Sequence, residues 1–268
     1  RTPVYPWWWG WYGWGGGARS QTIATGDTVL GDDGKFEARF SPAADERSAT
    51  SGSEVTYRYE LSADVTDEGG ETRSAERSFR LGFVAVEASV RMDQALLLEK
   101  QGAPVTIVRT SLDGVPAPGN GTWLLTRLEG PAQALLPADQ PVPVAPGSED
   151  TLRTEGDRLR PRWSPGYEAG AVLRNWKDGP VAGQGEMTHD AKGSATTRLP
   201  GLAEGAYRLA YETTDAFGAK HRTTKEFVVA GKRSTVPLPA FFAIENRSVP
   251  VGGVVRVLAA SGLADQDV

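Results

Sequence analysis

Residue types that commonly carry chemistry are scarce in this sequence. It has two histidines, His189 and His221, and no cysteine. Without Cys there is no thiolate nucleophile, disulfide, Fe–S cluster or Cys-based zinc site, and two histidines cannot build a multi-histidine metal centre. His189 precedes Asp190, a pair that could orient an imidazole to activate a nucleophile. No serine lies in a Gly-x-Ser-x-Gly elbow, and Ala-Lys-Gly follows the pair, so it reads as a surface turn. Asp27, Asp32 and Asp33 lie before Gly34, but without the alternating spacing and terminal bidentate Glu of a calcium loop; a turn is expected. Asp64, Asp67, Glu68 and Glu71 could pair for glycoside chemistry, yet they crowd one hairpin tip. Asn120-Gly-Thr and Asn246-Arg-Ser match the glycosylation sequon, a low-information match. The expectation is no catalytic residue, no metal ligand and no cofactor: not an enzyme.

Two segments remain as candidate contact sites. Trp7, Trp8, Trp9, Trp11, Tyr12 and Trp14 precede Gly15-Gly16-Gly17. Such rings could stack on sugars or sit at a membrane interface; the plainer reading is that they cover the first domain and a neighbouring one. The stretch 132–167 is rich in proline and then in charge, with Arg153, Arg158, Arg160 and Arg162. It reads as a long exposed insertion, a candidate cleavage loop for a trypsin-like protease.

The elements that must position these segments are strands. The 268 residues include 32 Gly and 18 Pro, punctuation that breaks helices and favours short elements joined by turns. Lys35–Phe40, Val55–Val65, Tyr207–Thr213 and Lys225–Val229 alternate or run apolar, as do Phe83–Val90, Val105–Val108 and Thr122–Leu128. Period-2 alternation buries one face of an antiparallel sheet. The nearest thing to a helical pattern, Met92–Lys100, is short and uncapped and reads as strand or irregular chain. The net charge of −5 leaves no footprint for nucleic acid, and no apolar run reaches the roughly 18 residues of a membrane span. The absence of Cys fits an oxidising compartment, either periplasmic or extracellular.

An internal repeat organises the chain. Tyr59 and Tyr207 are each followed by Asp eight residues on (Asp67, Asp215), Gly three beyond that (Gly70, Gly218) and Phe twelve beyond the Asp (Phe79, Phe227). A strand ending in Thr-Asp-x-x-Gly lets Asp bond the turn backbone while Gly takes positive φ, and the returning strand carries Phe into the core. The Tyr opening such a strand can tie its hydroxyl to the corner backbone. Leu112-Asp113-Gly114 is echoed by Lys177-Asp178-Gly179, where Asp-Gly suggests two more hairpin turns. The expected fold class is all-β: tandem antiparallel β-sandwiches of the immunoglobulin-like or fibronectin III-like kind. The expected domains are 1–82 with the Trp-rich segment, 83–231 with the insertion at 132–167, and 232–268 as the truncated start of a third β domain. The chain reads as a fragment of a longer protein.

Three segments carry a family resemblance: Leu-Asp-Gly-Val-Pro-Ala-Pro-Gly-Asn-Gly at 112–121, Leu-x-x-Gly-x-Tyr-Arg-Leu-x-x-x-x-x-Asp-x-x-Gly at 202–218, and Val-Pro-Val-Gly-Gly-Val-Val-Arg-Val-Leu at 249–258. With the Trp-rich run ahead of Thr25-Gly26-Asp27, they resemble the macroglobulin-like domains of the bacterial alpha-2-macroglobulin family. The resemblance implies an internal stretch of such domains, ending about where the bait-region domain would begin. It implies a structural segment of an envelope or secreted endopeptidase inhibitor that traps proteases. Its partners would be other domains of the same longer chain and possibly proteases. The family's Cys-Gly-Glu-Gln thioester cannot lie in a segment without Cys. The alternative is an adhesin or carbohydrate-binding surface protein that uses the Trp-rich segment.

Overall fold

A computed structural model describes residues 2–4, 20–42, 56–92, 97–135, 168–231, 236–245 and 248–263. The fold is all-β. Its strands are β1 (Thr2–Val4), β2 (Thr56–Thr66), β3 (Thr72–Gly82), β4 (Val86–Met92), β5 (Leu97–Leu98), β6 (Pro104–Ser111) and β7 (Gly119–Glu129). A helix, α1 (Ala169–Arg174), leads to β8 (Lys177–His189), β9 (Ser194–Arg198), β10 (Gly205–Thr214), β11 (Lys220–Ala230), β12 (Phe241–Ile244) and β13 (Val257–Ala260). They form sheets ordered β1-β2-β3, β5-β11-β10-β7-β8, β4-β6-β9 and β12-β13. Two compact units result. One comprises Arg1–Glu87 with Arg109–Ala117 and Thr214–His221, and the other Ala88–Val108, Pro118–Thr213 and Arg222–Val268. Among the described residues no helix is long and apolar enough to cross a membrane.

The first unit is built on the β2–β3 ladder, with Tyr59 opposite Phe79. Their rings stack at 5.6 Å, and Phe40 tilts over both at 5.9 and 6.2 Å. The alternation at Lys35–Phe40 does not become a strand: the segment is exposed and forms no ladder. Its charges are satisfied locally instead, through Lys35–Asp33 and Arg39–Glu37. Only Phe40 is drawn to the sheet.

In the second unit the five-stranded sheet faces β4-β6-β9 across a core that includes Val105, Ile107, Leu125, Leu209 and Tyr211, all essentially inaccessible. Tyr207, Leu209, Tyr211 and Thr213 point to this side at every second position of β10, as the alternation requires. The opposite face of the sheet is also covered at one end, where Leu128, Ala206 and Val228 pack with Val172, Leu173, Trp176, Val236 and Leu238. Double coverage explains why Phe227–Ala230 is buried without alternation. Helix α1 was not visible in the sequence. Six residues are too few to be helical alone; burial of Val172 and Leu173 and one arginine hold it. Arg208 donates to the carbonyls of Leu173, Arg174 and Trp176 at 3.1, 2.9 and 3.3 Å, satisfying acceptors that a helix end leaves open. It also pairs with Glu226 at 2.8 Å and Asp178 at 2.6 Å.

The Asp178-Gly179 dipeptide is not a turn. It lies inside β8, beside register shifts in the β7–β8 ladder. Gly179 serves there by its size, since a Cβ would press on the Arg127 carbonyl and the Glu129 side chain.

The repeat is expressed as one hairpin design in both the β2–β3 and the β10–β11 pair. Asp67 and Asp215 N–H each donate to the carbonyl of the residue four ahead, and Gly70 and Gly218 N–H donate to the Asp67 and Asp215 carbonyls. Both glycines have positive φ, +82° and +85°, the signature of a type I turn closed by a bulge. Tyr207 and Phe227 stack at 5.9 Å, as Tyr59 and Phe79 do. The Tyr207 hydroxyl donates to the Ala203 carbonyl at 2.9 Å, the expected tyrosine corner; burial raises its pKa. Truncating buried Phe227 to Ala should cost about 3–5 kcal/mol in urea unfolding. Tyr207→Phe should cost about 1–2 kcal/mol by stranding one carbonyl. Losses below about 0.5 kcal/mol in both variants would contradict this account of the corner.

Candidate functional site

Turn chemistry supplies the most heavily engaged polar cluster described in the first unit. In an Asp-x-x-Gly turn, one carboxylate oxygen bonds the following amides and the other is spare. In Asp67 one oxygen accepts from Glu71 N–H at 2.9 Å, and the tip is exposed. Asp215 uses both. Its Oδ1 accepts from Phe217 and Ala219 N–H at 2.9 and 2.8 Å, while Oδ2 accepts from Ala85 N–H at 2.8 Å. The residue is 8% exposed.

Beside it lies the buried guanidinium of Arg109, 5% exposed. Arg109 donates to the Ala117 and Thr214 carbonyls, each at 3.0 Å. A charge of this kind out of water needs both hydrogen bonds and an opposite charge nearby. The Ala85 amide, then the Ala219 and Phe217 amides and the Arg109 charge, hold the Asp215 carboxyl below its ordinary pKa; burial opposes them.

A second turn does the same for the other end of this segment. Ser111 Oγ accepts from Asp113 and Val115 N–H, which frees the Asp113 carboxylate to accept Arg80 N–H at 2.9 Å. Arg80 also pairs with Glu87 at 2.7 Å. The stretch Arg80–Glu87, where the chain leaves β3, is thus fastened at both ends by turn carboxylates. Val84 between them is 6% exposed. The arrangement holds backbone; nothing in it aligns a nucleophile with a base.

The other expected positions fall as follows. Trp7, Trp8, Trp9, Trp11, Tyr12 and Trp14, with Arg153, Arg158, Arg160 and Arg162, lie outside the described residues. Asp33 accepts from Lys35 N–H in a turn closed by Gly34. Asp64 accepts from the Ser74 hydroxyl at 2.5 Å, and Glu71 pairs with Arg73. Asp190 accepts from Lys192 and Ser194 N–H, while buried His189 meets the Gly119 carbonyl and the Tyr211 hydroxyl; the two are not joined as a dyad by these bonds. Among the described residues no three His, Cys, Asp or Glu side chains gather as a metal site would require. The Arg109–Asp215 cluster was not anticipated. The repeat marked Asp215, and alternation places Arg109 on the face of Val105 and Ile107, but nothing local in Val105–Ser111 tells which partner meets it there.

Asp215 gives a signed pH prediction. Its folded pKa is lowered, so the stabilisation is complete above the unfolded value of about 4 and is lost as pH falls through the lower folded value. Stability to urea should fall from about pH 4 to pH 2. Asp215→Asn turns an NH2 donor against backbone amides. It should be about 2–4 kcal/mol less stable at neutral pH, and should lose less over the acid range. Equal acid losses in both proteins would overturn the assignment.

No protein-family model and no curated protein sequence matches the chain. Solved structures do. The native conformation of Escherichia coli alpha-2-macroglobulin is similar over 77% of this chain and 12% of its own length, at 12% identity and a TM-score of 0.32. Escherichia coli alpha-2-macroglobulin activated by porcine elastase is similar over 70% of this chain and 16% of its own, at 16% identity and a TM-score of 0.31. The chain therefore spans less than a fifth of the length of either structure.

Proposed function

We propose that the chain is a structural segment of an alpha-2-macroglobulin-like endopeptidase inhibitor of the cell envelope, periplasmic or extracellular, with no chemistry of its own. The observation that carries this reading is the recurrence of one Tyr–Asp–Gly–Phe hairpin design at β2–β3 and again at β10–β11. Recurrence of that kind fits a row of related sandwiches. The three segments that resemble macroglobulin domains support it: 112–114 forms a turn, 205–218 a strand and its turn, and 257–258 the start of β13. On this reading the domains run 1–82 and 83–231, with an insertion at 132–167, and 232–268 opens a third. Trapping is a property of the whole assembly. Cleavage of a bait elsewhere releases a rearrangement, and sandwiches with fastened exits such as Arg80–Glu87 carry it without deforming. The partners are other domains of the same chain and the protease.

The test uses the full-length protein. Trypsin should cut this segment first at Arg153, Arg158 or Arg162, the bond after Arg160 being blocked by Pro161. Trypsin held by the full-length protein should keep its activity on a small chromogenic peptide and lose it on a large protein substrate. Solution scattering should change on cleavage of the bait. Equal loss on both substrates, or an unchanged scattering profile, would overturn the trapping role.

A further inference from the structure

Arg58 and Arg80 stand directly opposite each other in the β2–β3 ladder, so both side chains project from the same face of the sheet. Like charges in directly opposed positions repel. Arg80 is neutralised by Glu87 at 2.7 Å, while Arg58 has no ion pair among the described residues. Both line a cavity of about 280 Å³ in the first unit, together with Ser78, Phe79, Asp113 and Gly114. Asp113 already spends one carboxylate oxygen on Arg80 N–H. Gly114 adds no side chain to the wall. The charged side chains of the wall are then two guanidiniums and the Asp113 carboxylate, an excess of one positive charge, and the donors open to a ligand are the planar fork of Arg58 and the Ser78 hydroxyl.

We propose that this cavity is an oxyanion-binding site, with Arg58 gripping a carboxylate or phosphate through two N–H groups and Ser78 donating a third hydrogen bond. The guanidinium fork matches two oxygens of either anion. The volume is below that of pockets for cofactors or drug-sized ligands, which fits a single charged group rather than a large molecule. The Arg80–Glu87 pair keeps the second guanidinium from being expelled by the first. The site does not depend on the protease-trapping reading.

The test is an NMR titration of the chain with inorganic phosphate and, separately, N-acetylglutamate, at low salt. Saturable shifts should centre on the Arg58 side-chain Nε–H and the amides of Ser78 and Gly114. Arg58→Gln should weaken binding by about tenfold or more, and Ser78→Ala by a smaller factor. Arg73→Gln, on the other face of the hairpin, should leave it unchanged. Raising salt should weaken it in the native sequence. Preference for phosphate would identify a phosphorylated ligand, and preference for N-acetylglutamate an acidic peptide side chain; either supports the site. Absence of saturable shifts with both probes up to about 50 mM, shifts centred elsewhere, or undiminished affinity in Arg58→Gln would overturn it.

Discussion

A carboxylate buried at the end of a strand must find donors for both its oxygens or be expelled. Asp215 meets that demand with three amides and a neighbouring guanidinium, and the demand organises what lies around it. Two of its amides, Phe217 and Ala219, come from the turn it begins; the third, Ala85, comes from a segment distant in sequence. The turn therefore cannot relax without releasing Ala85, and Ala85 cannot leave without stranding a buried oxygen. Arg109 is bound by the same logic, since its two carbonyl partners belong to the chain on either side of the cluster. Asp67 has the same turn sequence but no such burial, and its turn remains only a turn. The difference between decoration and joint is the second oxygen.

Packing makes the second unit possible. The inward row of β10 faces the three-stranded sheet, and Ala206 and Val228 face the other way. A sheet with both faces covered needs something to cover the second one. Here it is a single turn and a half of helix with the 236–238 segment. So short a helix holds because Arg208 meets its last two carbonyls and that of Trp176 just beyond, while Glu226 and Asp178 balance the arginine's charge. Arg208 is adjacent in sequence to Tyr207, whose ring faces the other layer. One dipeptide thus secures both sides of the sheet.

Legibility in the sequence followed the range of the interactions. Tyr59, Asp67, Gly70 and Phe79, and their counterparts from Tyr207 to Phe227, were readable because turn chemistry and cross-strand pairing act over a dozen residues. The stacked rings and the Tyr207 corner follow from that spacing. Lys35–Phe40 had the right alternation and no partner strand, and alternation alone cannot supply one. Asp178-Gly179 had turn residues in a place where glycine was needed for room. Helix α1 was too short for a periodic signal. The Arg109–Asp215 pairing joins positions more than a hundred residues apart; alternation turns Arg109 to the side of Val105 and Ile107, but its partner there is not local.

The three turn acids form a graded series. Asp67 closes its own hairpin and stops there. Asp113 leaves the closing of its turn largely to the Ser111 hydroxyl, which makes its carboxylate available to Arg80 N–H. Asp215 does both tasks at once and is buried for it, with Arg109 as the compensating charge. Across the series the turn geometry is constant while the spare acceptor capacity is put to different use. That separates two constraints on the same residue type. A short polar acceptor is enough to shape the turn, as Ser111 shows. A charged acceptor with two free directions is required where distant backbone must be held as well. Loss of charge should therefore be tolerated at Asp67 and not at Asp215, although the two sit at the same place in the repeat.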